Sequence, residues 1–218
     1  GDGQTYGTAA DRLGNGWWAQ FNQDIVGHAN GTTGEVDEVV MRPPGALDRE
    51  QLLTPADRDF FHRIGAMRFS GSVYNPGAQA PRRLAADPDG DAVWVANWWG
   101  SNLAKVDINT LEVTYYQLPI AAHPYATVVD RNHMVWANLS SDDAVAKFDP
   151  RTEEYTIYKL PSIGTELRHI AVDNAGGPDV WVVYREASRA ARIQFRTEAE
   201  LQAARTASAV PAAAGGAQ

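Results

Sequence analysis

Short apolar segments separated by polar turns recur along the chain, and hydrophobic and polar residues alternate within many of them. The segments VTYYQL, residues 113–118, and YTIYKL, residues 155–160, alternate with a period of two. This period is typical of half-buried β-strands, and Gly, Asp, Asn and Pro occupy the gaps, as turns require. The pattern predicts an all-β chain of many short strands.

The strand pattern itself repeats, and tryptophan marks each copy. Trp94 and Trp136 lie 42 residues apart, Trp136 and Trp181 lie 45 apart, and an earlier copy begins at Trp17. Each strand that contains one of these tryptophans follows a short apolar strand that ends in aspartate, at Asp11, Asp87, Asp130 and Asp173. Units of this length with four strands are typical of β-propeller blades. We therefore predict a β-propeller with four recognisable four-stranded blades, with a β-sandwich as the alternative. Because propellers of this blade length often have more blades, we expect the chain to be part of a larger propeller or to be completed by another chain.

Two segments interrupt the repeat. Residues 43–79 separate the first two copies, and Thr54-Pro55 inside them predicts the start of a short helix near 55–64. Thr197 followed by Glu198 and Glu200 predicts a second helix, ahead of an alanine- and glycine-rich tail. The predicted organisation is propeller blades over 1–196, with an insertion at 43–79, and a C-terminal helix and tail over 197–218.

Composition and charge limit the kinds of partner and of chemistry that the chain can have. The 218 residues include 19 basic and 27 acidic residues, a net charge of −8, which argues against a nucleic-acid partner. Since no apolar run approaches membrane-spanning length, the chain is not expected to span a membrane. The absence of cysteine excludes disulfides, thiolate catalysis and covalent c-type haem attachment within this chain. No cofactor is expected in this chain.

The D-x-x-G-x-x-W turn and the Leu-Pro that closes two of the copies resemble the streptogramin lyase (virginiamycin B lyase) family of β-propellers. The resemblance covers about 1–42 and 80–196. The segments GNGWWAQFNQDIVGHANGTTGEV and, near the C-terminus, IQFRTEAELQ are similar to the sequences of periplasmic members of the family. Those members are often encoded beside, or fused to, cytochrome c modules. The resemblance thus implies a periplasmic or secreted bacterial setting and electron-transfer neighbours.

The resemblance also implies a chemistry, which is metal-dependent elimination that opens a cyclic depsipeptide ester on the propeller axis. In that family, one blade has a catalytic histidine five residues before the strand-ending aspartate, and the next has an E-x-H motif. Here the two histidine positions hold Tyr125 and Arg168, and only the acid, Glu166, matches. His123 and His169 are out of register by two residues and one. Because a shift of one residue turns a strand side chain to the other face, His169 is expected to point away from the catalytic position. Glu166, His169 and His123 remain the catalytic candidates. No metal site is firmly predicted, Glu166 is the weak candidate for a metal ligand, and magnesium would be needed only by an active lyase.

The position five residues before the strand-ending aspartate predicts a different site. Across the four copies it holds Tyr6, Arg82, Tyr125 and Arg168, which with Glu166 form a ring of aromatic and charged groups on the innermost strands. Arginine binds carboxylate or phosphate through two parallel hydrogen bonds, so the ring is a candidate anion or carboxylate site. The alternative is that Arg168 simply pairs with Glu166 while Arg82 is solvated at the rim.

Two functions therefore stay open. The first is a non-catalytic binding or scaffold subunit, extrinsic to a periplasmic electron-transfer assembly with a cytochrome-bearing or membrane complex as partner. The tryptophan doublets at 17–18 and 98–99 favour protein–protein interaction, although blade junctions are themselves rich in aromatic residues. The second is a metal-dependent lyase or hydrolase that opens streptogramin B-type or other cyclic esters. The missing histidines favour the first.

Overall fold

The computed structural model describes residues 5–43, 54–63, 78–175 and 179–208. Blade 1 consists of β1 (Thr5–Ala10), β2 (Gly16–Gln20), β3 (Ile25–Ala29) and β4 (Val36–Val40). Blade 2 consists of β5 (Pro81–Ala86), β6 (Ala92–Asn97), β7 (Asn102–Asp107) and β8 (Val113–Gln117). Blade 3 consists of β9 (Pro124–Val129), β10 (Val135–Leu139), β11 (Ala144–Asp149) and β12 (Glu154–Lys159). Blade 4 consists of β13 (Leu167–Asp173), β14 (Asp179–Tyr184) and β15 (Arg189–Ile193). The helices are α1 (Pro55–Arg63) and α2 (Glu198–Ser208).

Every blade is an antiparallel meander in which strands follow one another in chain order. The first strands of neighbouring blades pack against each other, β1 on β5, β5 on β9 and β9 on β13. These four strands are therefore the inner strands of the propeller, and the prediction of an all-β propeller with four blades is confirmed.

Blade 4 differs from the repeat, because it has three strands in the described part of the chain where the sequence led us to expect four. After β15 the chain enters α2 within a few residues. Thr197 and Glu200 close a reciprocal capping box: Glu200 N donates to Thr197 Oγ1 at 3.3 Å, and Thr197 N donates to Glu200 Oε2 at 2.8 Å. The local signal for a helix thus ends the strand pattern.

The helices lie where their start signals predicted. Proline is the first residue of α1, as expected at a helix N-terminus, and α2 begins directly after Thr197. No helix in the described ranges has both the length and the apolar character needed to cross a membrane. The rest of the predicted insertion (44–53 and 64–77) and the predicted tail from 209 onward lie outside the described residues.

The repeated tryptophans form the junctions between blades. Trp17, Trp94 and Trp136 are at most 1% exposed. Each belongs to a buried apolar cluster that includes side chains of the following blade: Trp17 with Leu84, Val93 and Val95, Trp94 with Val129, Val135 and Phe148, and Trp136 with Ile170, Val180 and Val182. The tryptophan repeat in the sequence therefore reflects the same packing contact, made at three blade junctions.

Candidate functional site

The four inner strands share an irregularity at the same place. The pairing register of β1 shifts between Thr5 and Thr8, that of β5 between Pro81 and Leu84, and that of β13 between Leu167 and His169. In β9 the pairing passes from Pro124 to Ala126, so Tyr125 is skipped. Such bulges re-aim side chains and are common beside functional sites. The skipped positions include Tyr6, Arg82, Tyr125 and Arg168, the four residues of the predicted ring.

The bulges bring the four side chains together. The hydroxyls of Tyr6 and Tyr125 are in hydrogen-bond contact across two blades. Arg82 Nη1 donates to the Tyr6 hydroxyl at 3.4 Å, and Arg168 Nη1 donates to the Tyr125 hydroxyl at 3.2 Å. Two guanidinium groups therefore flank one tyrosine pair.

Arg82 is buried, with 7% of its surface exposed, so the alternative that placed it in solvent at the rim is wrong. Its guanidinium carbon lies 3.9 Å from the ring centroid of Trp98, 4.4 Å from that of Phe21 and 4.6 Å from that of Tyr125. These are cation–π distances, and a desolvated contact of this kind is worth about 2 kcal/mol. Burial lowers the pKa of Arg82, and a guanidinium nevertheless stays protonated at physiological pH.

Glu166 is held by two arginines. Arg168 Nε donates to Glu166 Oε1 at 2.9 Å, and Arg185 Nη1 donates to Glu166 Oε2 at 2.6 Å. Burial by itself would raise the pKa of Glu166, but the hydrogen bonds from Arg168 and Arg185 outweigh it and lower the pKa to about 2. Glu166 is thus a fully ionised carboxylate with both oxygens occupied.

The two tyrosines titrate in opposite directions. Burial, followed by the hydrogen bond with Tyr125, raises the pKa of Tyr6. Burial also acts to raise the pKa of Tyr125, but the hydrogen bonds with Tyr6 and Arg168 and the charge of Arg82 lower it on balance. Tyr125 is therefore the more acidic hydroxyl of the pair.

The three catalytic candidates do not form one site. His123 packs on Trp98 and Trp99, at ring-centroid distances of 5.2 and 5.5 Å, and its Nδ1 lies 3.7 Å from Asp142. His169 lines the inner-strand cavity, whereas Arg168, at the position of the motif's histidine, contacts Glu166 and Tyr125. Across the described ranges, no three histidine or acidic side chains form a group able to hold a metal ion.

A cavity of about 420 Å³ opens along the inner strands of blades 1 to 4. It is lined by Tyr6, Gly7, Thr8, Ala9, Arg83, Leu84, Ala85, Ala86, Ala126, Thr127, Val128 and His169. Sequence reasoning missed Arg83, although it follows Arg82 directly. The period-two rule puts neighbouring residues on opposite faces, but the bulge in β5 brings the guanidinium groups of both Arg82 and Arg83 to the rings of Tyr6 and Tyr125.

Comparison with known proteins bears on the fold. The chain matches no protein-family model, and no curated protein matches it. Among solved structures it is similar to virginiamycin B lyase from Staphylococcus aureus, with a TM-score of 0.63, 15% identity, and coverage of 91% of this chain and 58% of that chain. It is also similar to a streptogramin B lyase (TM-score 0.59, 16% identity, 89% and 55% covered) and to Kuenenia stuttgartiensis hydrazine synthase (TM-score 0.54, 13% identity, 87% and 49% covered). At these identities the likeness shows a lyase-like β-propeller fold, and the chain spans only about half to three-fifths of these structures.

Proposed function

We propose that this chain is a non-catalytic propeller unit that binds a ligand at its inner strands and acts as an extrinsic scaffold subunit of a periplasmic, electron-transfer assembly. One observation carries the proposal. Arg168 stands at the position where the lyase pattern needs the histidine of its E-x-H motif. A guanidinium stays protonated at any physiological pH and cannot accept the proton that a general base must take. The matching position in blade 3 holds Tyr125, whose hydroxyl already bonds Tyr6 and Arg168.

The surroundings of Glu166 do not fit a magnesium ion. Magnesium binds through carboxylate oxygens and retained waters. Both oxygens of Glu166 accept hydrogen bonds from guanidinium groups, of Arg168 and of Arg185, so a divalent cation would meet two positive charges there. The acid that matches the lyase motif is used to orient arginine.

The assembly part of the proposal rests on the resemblance to periplasmic, cytochrome-associated members and on the fold. The periplasmic location and the cytochrome-bearing or membrane partner come from that resemblance. The solved structure of hydrazine synthase is among the chain's structural neighbours, as are the two lyases. Propeller folds carry many unrelated functions, so the partner has to be identified by experiment.

The second candidate is a metal-dependent lyase or hydrolase that opens cyclic esters. It is favoured by the likeness to two streptogramin lyase structures and by the position of Glu166. In that case His169, whose imidazole lines the inner-strand cavity, would be the base.

Native purification from the source organism tests the choice. The chain is followed by mass spectrometry through soluble and membrane fractions. Co-migration with a cytochrome-bearing or membrane complex is the expected result, and migration as a single propeller would overturn the scaffold role. In parallel, the protein is assayed for magnesium-dependent opening of a streptogramin B substrate, with Glu166→Gln as the variant and the exposed Glu112→Gln as the control. Turnover that is lost only in Glu166→Gln would establish the lyase instead.

A further inference from the structure

We infer that the inner-strand cavity is an anion site in which Arg83 recognises the carboxylate or phosphate group of a small molecule. The inference rests on the binding role proposed above and gives that role a ligand class. Arg83 is the positively charged side chain of the cavity lining, and Tyr6, Thr8 and His169 are polar groups around it.

The positive charges of Arg82 and Arg83 are not balanced by ion-paired carboxylates in the described part of the chain. Arg82 and Arg83 are consecutive at the bulge of β5, and no carboxylate of the described residues forms an ion pair with either of them. Both Nε atoms are shielded from solvent and have no hydrogen-bond partner. Shielding a guanidinium nitrogen from water without a partner is costly unless a partner arrives. This concentration of positive charge occurs in a chain whose net charge is −8.

The shape of the cavity wall also bears on the ligand class. Gly7, Ala9, Ala85 and Ala126 line the cavity with small side chains, which leaves a volume of about 420 Å³. Pockets of this size accommodate small organic ligands. Leu84 and Val128 give the wall an apolar part, so the cavity suits an anion that carries a small hydrocarbon body.

Aromatic rings and tyrosine hydroxyls hold the arginines in place. The guanidinium carbon of Arg83 lies 5.8 Å from the ring centroid of Tyr6 and 5.7 Å from that of Tyr125. Behind these rings, Arg82 and Arg168 add positive charge and fix the two hydroxyls. A guanidinium positioned in advance loses little entropy on binding a planar carboxylate through two hydrogen bonds. Arg83 is therefore the binding residue, and Arg82 and Arg168 are positioning residues.

His169 adds a second polar side chain to the cavity lining. Its pKa is lowered by burial and then by the charge of Arg83. At neutral pH its ring is uncharged and offers one N–H donor, which suits a second oxygen of the same anion. The site therefore combines one permanent cation with a neutral N–H donor from His169.

Calorimetric titration of the purified full-length protein tests the site. The probes are sodium benzoate, a carboxylate with an apolar body, and inorganic phosphate, each at constant ionic strength balanced with chloride. We expect saturable binding of at least one probe. Benzoate binding alone identifies a carboxylate ligand, and phosphate binding alone identifies a phosphate ligand. No saturable binding of either probe overturns the inference.

Variants then locate the site. Arg83→Gln should weaken the affinity at least tenfold, and Arg83→Lys should weaken it several-fold, because lysine keeps the charge but not the planar fork. Arg151→Gln is the control, since Arg151 is exposed and pairs with Asp149 far from the cavity. Unchanged affinity in Arg83→Gln overturns the inference, and thermal unfolding of each variant verifies that it is folded. Absence of anion binding by the unmodified protein, with the native complex intact, would contradict this inference alone, whereas absence of a partner complex would contradict the proposed scaffold role alone.

Discussion

The indole nitrogen of Trp17 donates a 2.8 Å hydrogen bond to Oδ2 of Asp11, six residues earlier in the chain. Oδ1 of the same carboxylate accepts the backbone N–H groups of Leu13 and Asn15, at 2.9 and 3.0 Å. Blade 3 repeats the arrangement, because Trp136 donates to Asp130 at 2.8 Å. The turn from aspartate to tryptophan, D-x-x-G-x-x-W in blade 1 and D-x-x-H-x-x-W in blade 3, is thus closed and fixes the tryptophan of a blade junction.

Replacement of Asp11 by alanine should destabilise the fold. The change leaves the buried indole N–H of Trp17 and two backbone N–H groups without an acceptor, which costs about 1–3 kcal/mol per group that stays unsatisfied. Urea unfolding measures the loss. Asp89→Ala is the matched control, because Asp89 is exposed in the corresponding turn of blade 2. Equal midpoints for the two variants would contradict the role assigned to the closed turn.

The sequence was sufficient to predict the blades but not the full site. The spacing of Trp94 and Trp136 reflects a packing contact that is made by the tryptophans of blades 1 to 3, so a repeat in the sequence becomes a repeat in the fold. The same register predicted that Tyr6, Arg82, Tyr125 and Arg168 would come together. The cavity was not predictable, because it depends on bulges, and a bulge has no signal in hydrophobic alternation.

Contacts between residues that are far apart in the chain could not be predicted from the sequence either. Phe21 and Trp98 lie after strand ends, yet both rings pack on Arg82. In blade 2, the turn carboxylate of Asp87 binds His133 Nδ1 of blade 3 at 2.8 Å, a contact that the repeat does not indicate. Such contacts depend on how blades are placed relative to one another, which local patterns do not specify.

Acid should lower the free energy of unfolding, in part through protonation of Glu166. Its pKa is about 2 in the folded chain, below the ordinary value of 4.5. A lowered pKa stabilises the fold above the unfolded value, and this contribution is lost as the pH falls from about 4.5 towards 2. We expect a loss of about 1–2 kcal/mol, less than the full pKa difference implies, because a quarter of the side chain is exposed. Unfolding midpoints at pH 7, 4 and 3 should fall less steeply in Glu166→Gln than in the unmodified protein. The exposed Glu112→Gln should keep the steep fall, and equal slopes in all three proteins would contradict the assignment.

A methyl group at Gly7 should force blades 1 and 2 apart. A Cβ built there would lie 2.6 Å from the Cα of Arg83 and 2.8 Å from the carbonyl oxygen of Arg82. Both atoms belong to the backbone of β5 and cannot rotate away, so Gly7→Ala should cost about 1–3 kcal/mol. Gly16→Ala in β2 is the control, because nothing lies within 4 Å of a Cβ at that position. Urea unfolding of the two variants makes the comparison, and a neutral Gly7→Ala would show that β1 and β5 are not as close as the structure places them.

Trp181 occupies the junction position of blade 4, but 43% of its surface is exposed, and its neighbour Val183 is 44% exposed. The equivalent Trp94 and Trp136 are buried because the next blade covers them. We therefore expect a further β-blade to cover Trp181 in the complete propeller. Hydroxyl-radical footprinting with mass spectrometry compares the 218-residue chain with the protein purified from its source. Trp136 should be protected in both samples. Trp181 should be oxidised rapidly in the chain alone and at least several-fold more slowly in the native protein. Equal oxidation of Trp181 in the two samples would mean that this face of blade 4 is open in the native protein and that no further blade packs on it.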